Sequence, residues 1–160
     1  MQKEPMLKTT FDRLSKELEL LKTVERAKIA KVIDTARELG DLKENAEYHA
    51  AKDKQGLMEA RILDLTDLVA RAHVIDPVCL PHKRVSFGSK VELIDQEDDS
   101  EICYSIVGSQ ESNPEKGLIS IGSPMGKALL GKEEGDEVEI NLPNGKKVFD
   151  IENISCMDKI

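Results

Sequence analysis

Aromatic residues make up 3% of the 160-residue chain, and there is no tryptophan. Phe11, Tyr48, Phe87, Tyr104 and Phe149 are the whole set. A chain so poor in aromatics is a weak candidate for building an aromatic-lined apolar pocket. Cysteine is also scarce. Cys79, Cys103 and Cys156 are an odd number at wide spacings, without the paired spacing of a zinc site. They read as idle reduced thiols. The histidines, His49, His73 and His82, are scattered and form no ligand motif. No run of about 18 apolar residues is present, which excludes a transmembrane helix by length. The opening Met-Gln-Lys-Glu-Pro lacks the apolar stretch of a signal peptide, so a cytoplasmic protein is expected.

Charge is abundant but unevenly placed. The formal net charge is −8. Residues 1–75 carry 14 basic and 14 acidic side chains, so the excess lies entirely in residues 76–160. An acidic second half is a poor free-standing ligand for DNA or RNA, because phosphate binding rests on Lys and Arg. A protein or a metal ion is the more natural partner.

The two halves also differ in period. No Pro or Gly interrupts Lys8 to Leu39, and the composition favours helix. Apolar positions run Phe11, Leu14, Leu18, Leu21, then past Glu25 to Ile29, Val32, Ala36 and Leu39. This is a heptad seam with one stutter near Glu25. A second seam runs Tyr48, Ala51, Gln55, Met58, Ile62, Leu65, Val69, Ala72. Each stripe is too narrow to bury itself alone, and the link between them is short. An antiparallel helical hairpin is expected over residues 1–76, with arms of about 42 Å at 1.5 Å per residue.

Residues 77–160 read as α+β. Arg84–Phe87, Lys90–Asp95 and Ile102–Val107 alternate as strands, with a turn over Gln96–Ser100. Leu118–Ile121 is a further short strand. Glu137–Leu142 and Lys146–Ile154 flank the turn signal Pro143-Asn144-Gly145. Ser123 is placed to cap a short helix over Pro124–Leu130, with Gly131 as its stop. One short helix against an antiparallel sheet is the predicted second domain.

The connecting turn, residues 40–47, holds the candidate chemistry. Asp41 and Glu44 are three apart, with Glu47 as a possible third acid. Two readings stay open. Asp41 at an N-cap with Glu44 at N3 satisfies orphan amides and complements the helix dipole. Alternatively, two exposed carboxylates offer half a site for a hard cation such as Mg²⁺, the other oxygens coming from a partner and its phosphate. Arg37, Lys43, Lys52 and Lys54 form a basic face behind the turn. It is either a solvated flank or a surface that steers a nucleic-acid end toward the acids.

The run Asp41-Leu42-Lys43-Glu44-Asn45-Ala46-Glu47-Tyr48-His49-Ala50-Ala51 closely resembles the tip of the bacterial Gre transcript-cleavage factors, the GreA/GreB family, and is more similar to the GreA type. Val85-Ser86-Phe87-Gly88-Ser89, Ile106-Val107-Gly108, Gly117-Leu118-Ile119-Ser120, Ser123-Pro124 and Ala128-Leu129-Leu130-Gly131-Lys132 with Gly135-Asp136 resemble the family's C-terminal domain, in order. The resemblance implies an N-terminal antiparallel coiled coil and an FKBP-like C-terminal domain. It implies an accessory factor, not itself an enzyme, that binds RNA polymerase through its secondary channel. The polymerase would then cleave the nascent transcript of a backtracked complex. By motif position Asp41 and Glu44 would help hold a shared Mg²⁺ and position water, with no cofactor of the factor's own. Arg37, Lys43, Lys52 and Lys54 would face the RNA 3′ end. Ser123 and Pro124 match the segment the family docks on the polymerase, although they also suit a plain helix start. DNA is met only within the transcription complex, and free DNA binding is expected to be weak. Two positions depart from the family's habit: Lys43 stands where Ser is frequent, and Gly122 where some relatives carry an acid. The alternatives are a channel-binding regulator without cleavage stimulation and, more remotely, an FKBP-like isomerase or chaperone.

Overall fold

The structure, a computed structural model, describes residues 2–160. The chain forms two units. One comprises Phe11–Ala72 with Gln2; the other joins Lys3–Thr10 to His73–Ile160.

The first unit is a helical hairpin. Its first arm is α1 (Lys8–Leu20), whose opening residues Lys8–Thr10 belong to the second unit, a π-helical turn (Leu21–Glu25) and α2 (Arg26–Arg37); its second arm is α3 (Ala46–Arg71). The π turn falls on the expected stutter. Two successive four-residue steps in the seam, Leu21 to Glu25 to Ile29, are absorbed there by one wider turn. Thr23 adds to the irregularity by donating its hydroxyl to Glu19 O at 2.7 Å. Beyond the π turn the buried stripe is Ile29, Ile33 and Ala36. Val32 and Leu39, expected in the seam, are exposed instead: Val32 because the buried stripe after the π turn runs through Ile33, and Leu39 because it lies in the turn beyond the end of α2. The second seam is as expected, with Ala51, Ile62 and Leu65 fully buried. Ile29, Ile33 and Ala51 form one small core, with Tyr48 and Met58 packed on it.

Two bidentate pairs fix the register of the arms. Arg26 donates twice to Glu59, both at 2.9 Å, and Arg61 to Glu17 at 2.8 and 3.1 Å. The hydrogen bonds from these guanidinium groups hold the Glu17 and Glu59 carboxyls below the usual carboxylate range.

In the second unit β3 (Ser89–Asp95), β4 (Glu101–Val107), β5 (Leu118–Ser120), β6 (Glu137–Leu142) and β7 (Gly145–Cys156) build a five-stranded sheet in the order β5-β4-β3-β7-β6. All pairs are antiparallel except β4–β5, which is parallel. The sheet is therefore mixed, where an antiparallel one was expected. The loop between β4 and β5 carries the chain back to the starting end of its neighbour, which a hairpin does not do. A register shift opposite Glu92 and Leu93 changes the phase of β7. Phe149 and Ile151 alternate, whereas Ile154 follows after three residues, and all three are buried. Helix α4 (Pro124–Leu129) contributes Leu129 to the core formed by Val91, Leu93, Ile106 and Ile151. It approaches so closely that a Cβ on Gly126 would lie 2.1 Å from Ser120 O.

Three expectations are corrected. Arg84–Phe87 is not a strand; it makes only a single bridge, Arg84 to Glu133, and Val85 and Phe87 are buried from an irregular path. Two short strands were missed, β1 (Glu4–Met6) and β2 (Ala72–Val74), which pair with each other. The expected division at residue 76 also assigned Lys3–Thr10 to the hairpin, whereas these residues belong to the second unit. There the Leu7 amide donates to Glu111 Oε1 at 3.3 Å, and the Ile75 amide to Met6 O at 2.9 Å. Leu7 joins Phe87, Val107 and Met157 in a second core.

His82 is buried, with a φ of 51°. Pro77 O can only accept, so the imidazole Nε2–H donates to it, at 2.6 Å. Nδ1 is hydrogen-bonded to the Ser89 hydroxyl at 2.7 Å, and Ser89 Oγ accepts the Ser86 amide at 3.0 Å. This histidine is a structural tie between an irregular segment and the start of β3.

The Gly126 contact generates a prediction. Gly126→Ala must push α4 away from β5, and should destabilise the second unit by about 1–3 kcal/mol. Urea unfolding followed by a probe in that unit, such as Tyr104 fluorescence, measures it; an unchanged midpoint would contradict the contact.

Candidate functional site: the acidic turn of the hairpin

Helix α2 ends at Arg37 and the chain turns through Gly40, whose φ of 128° favours glycine. The second arm starts later than the Asp41–Glu44 spacing suggested. Its N-cap is Asn45, whose Oδ1 accepts the Tyr48 amide at 3.0 Å. Asn45 Nδ2 meanwhile donates to Ala36 O at 2.5 Å, a carbonyl at the end of α2 that also accepts the Leu39 amide at 3.1 Å. One side chain thus caps one helix and closes the other.

This overturns the capping-box reading of the acids. Asp41 and Glu44 precede the helix instead of sitting at N-cap and N3. Asp41 Oδ1 accepts the Lys43 amide at 3.0 Å, a local bond across two residues. Glu44 makes no hydrogen bond or ion pair among the described residues, and both acids are exposed. Glu47 is exposed in the first turn of α3, where a carboxylate complements the helix dipole.

The basic residues are spread across three elements. Arg37 closes α2, Lys43 lies in the turn, and Lys52 and Lys54 are on α3; all four are exposed. The Lys52 ammonium donates to Gln55 Oε1 at 3.0 Å. His49 and Lys43 O lie 3.2 Å apart, and the Tyr48 and His49 rings meet edge to face at 5.5 Å between centroids. These contacts tie the turn to the first helical turn behind it.

Among the described residues no group of three or more His, Cys, Asp or Glu side chains is placed to hold a metal ion. Asp41 and Glu44 therefore amount to two carboxylates, not a coordination sphere. That donor set suits a hard cation that receives its remaining oxygens from elsewhere.

In the second unit, Ser123 is the N-cap of α4. Its Oγ accepts the Gly126 amide at 3.1 Å and donates to Ser120 O at 2.6 Å, and Pro124 occupies the first turn. Ser123 is half-buried, while Gly122 and Pro124 are exposed. Phe149 lies in the main core, on which Tyr104 packs, and Phe87 lies in the second core. The three cysteines are free. No helix among the described residues is long and apolar enough to cross a membrane.

Sequence reasoning missed Asn45. The signal was present: an asparagine directly before an uninterrupted helical run is a preferred N-cap. Asp41 with Glu44 at the capping-box spacing competed with it.

Two family descriptions match the chain. "Transcription elongation factor, N-terminal" covers residues 4–74, and "Transcription elongation factor, GreA/GreB, C-term" covers residues 80–156. The chain is 71% identical over 154 residues to the transcription elongation factor GreA of Sulfurovum sp. (strain NBC37-1), covering 96% of this chain and 95% of that one. It is 60% identical over 158 residues to GreA of Nautilia profundicola, covering 99% and 98% respectively. GreA of Helicobacter pylori (strain 26695) is 56% identical over 154 residues, covering 96% and 94%. Among solved structures, GreA factor homolog 1 of Thermus thermophilus is 30% identical, covering 96% of this chain and 99% of that chain, with a TM-score of 0.43.

The cap assignment separates Asn45 from the acids by experiment. Asn45→Ala should cost about 1 kcal/mol of hairpin stability. Asp41→Ala and Glu44→Ala should each stay within about 0.5 kcal/mol of the parent. Thermal unfolding followed by circular dichroism at 222 nm is the measurement, and the reverse ranking would restore the capping-box reading.

Proposed function

Since the chain belongs to the GreA/GreB family of transcription elongation factors, we propose that it binds RNA polymerase through the secondary channel and stimulates endonucleolytic cleavage of the nascent transcript in backtracked or arrested complexes. The observation that carries this reading is the state of the tip acids. Asn45 does the capping, so Asp41 and Glu44 are exposed without a structural task that would explain both. The resemblance of the surrounding run to the family's tip supports the role of tip acids for both.

In this reading the factor is accessory, and the bond cleavage belongs to the polymerase. Asp41 and Glu44 would supply carboxylate oxygens to an Mg²⁺ shared with the polymerase, Glu47 standing close in sequence as a further acid. Such an ion stabilises the attacking and leaving oxygens of an in-line displacement when bound. The tip carboxylates also accept hydrogen bonds, and so can orient a water. A carboxylate introduced into a confined, water-poor site acts more strongly than in bulk solvent. Arg37, Lys43, Lys52 and Lys54 would bear on the displaced RNA 3′ segment. Ser123 and Pro124, held rigid by the cap of α4, would form part of the docking surface on the polymerase. The net charge of −8 is compatible with this, because RNA is met only through the protein partner.

The aromatic residues favour this reading over an isomerase. An FKBP-type peptide pocket needs aromatic walls, and Phe87 and Phe149 are 4% and 3% exposed within the core.

The decisive assay is transcript cleavage in a defined backtracked complex at low Mg²⁺. The parent should stimulate cleavage, and Asp41→Asn or Glu44→Gln should abolish it while polymerase affinity stays within about 3-fold. Binding without stimulation by the parent would support the channel-occupying regulator instead. In the same assay, Lys52→Glu should weaken stimulation and reduce crosslinking from the RNA 3′ end to α3. Altering Ser123 and Pro124 together should weaken binding; an unchanged affinity would remove them from the docking surface.

A further inference from the structure

One flank of the hairpin carries a groove behind the turn, most of whose lining has no part in the tip chemistry. Two adjoining hollows share Lys28 and Val32. Along the first arm they are lined by Leu21, Glu25, Lys28, Val32 and Thr35, a stripe at helical spacing. From Leu21 to Thr35 this stripe extends about 21 Å at 1.5 Å per residue, ignoring the shorter rise of the π turn. The facing wall is α3, through Glu47 at one end and Lys54, Leu57 and Met58 further along.

The floor is apolar and open. Val32 is 53% exposed and Leu57 75% exposed, although aliphatic side chains of this size are usually buried. The rotation imposed by the π turn is what turns Val32 out of the seam and into this flank. The edges are mainly basic. Arg61 is committed to Glu17, and Lys28 lies 3.7 Å from Glu25. Lys31 and Lys54 enter no ion pair among the described residues.

We propose that this groove receives an amphipathic helix from another protein, with an aliphatic stripe against Val32 and Leu57 and carboxylates on its flanks opposite Lys31 and Lys54. The length admits about four helical turns, so the anchors would recur at three- and four-residue intervals. The occupant completes a three-helix arrangement, in which the exposed aliphatics acquire the cover that two helices alone do not provide. Nucleic acid fits this surface poorly. A polyanion would engage the lysines but leave the aliphatic floor wet, and Arg61, the arginine lining the groove, is already held by Glu17. The groove shares Glu47 and Lys54 with the face proposed to meet the RNA, whereas Val32, Leu57 and Lys31 have no part in the proposed cleavage activity, so variants at Leu57 and Lys31 separate the two.

The test uses the full chain, labelled for amide NMR, and three probes. The first is a helical peptide of about 15 residues with a leucine stripe and glutamate flanks; the second has lysine in place of each glutamate; the third is a single-stranded RNA of about ten nucleotides. The acidic peptide should shift the amides around Val32 and Leu57 and bind at least about 10-fold tighter than its lysine counterpart. Leu57→Ser, at a position with no structural burden, should weaken the acidic peptide by about 10-fold, and Lys31→Glu should narrow the preference between the peptides. Equal binding of the two peptides would overturn the proposal. So would unchanged binding by Leu57→Ser, or displacement of the peptide by the RNA, which would make the flank a nucleic-acid surface.

Discussion

A single asparagine side chain governs the end of the hairpin. Asn45 accepts the Tyr48 amide with its oxygen and donates to Ala36 O with its nitrogen. Antiparallel helices joined by a tight turn expose unpaired carbonyls at the end of one and unpaired amides at the start of the other. A bifunctional amide fills an unpaired amide of the second helix and adds a second donor to Ala36 O, which already holds the Leu39 amide, so it ties the two helix ends together. A carboxylate could take the amide but would repel the carbonyl. The constraint has a functional corollary: because an uncharged residue holds the turn, the nearby acids are released from holding it.

The same logic runs through the rest of the hairpin. Its core is thin, with Ile29, Ile33 and Ala51 at its centre, so register cannot rest on apolar packing alone. Two bidentate arginine–glutamate pairs supply the geometric definition. They are exposed, and their value lies in fixing which residue faces which more than in net stability. The π turn serves a different end. It changes which stripe of the first arm meets the second, and so decides that Ile33 is inside and Val32 outside.

Much of this was legible in the sequence. The hairpin followed from two narrow apolar stripes and a short link, and the stutter at Glu25 marked where the first arm becomes irregular. The strands from Lys90 onward were legible from alternation. What was not legible depended on partners distant in sequence. The strand Glu4–Met6 is too short to have a period, and is defined only by its pairing with Ala72–Val74. Arg84–Phe87 alternates like a strand yet lacks a neighbour along its length, since burial from one side is enough to produce the pattern. Ile33 was missed because a heptad frame carried through the stutter selects Val32. At the turn, the acids that resemble the family's tip were visible at once, whereas the residue that frees them from capping was not.

The membership of Lys3–Thr10 in the second unit has a consequence for synthesis and for engineering. Leu7 lies in a core whose other members, Phe87, Val107 and Met157, are translated long afterwards. The globular unit is thus discontinuous in the gene, and its first strand waits on the ribosome until the whole hairpin has been made. A chimera that exchanges hairpins between relatives at one junction would separate that strand from the surface it evolved against. Transplanting the globular unit intact requires two cuts, one after Thr10 in the first turn of α1 and one after Ala72.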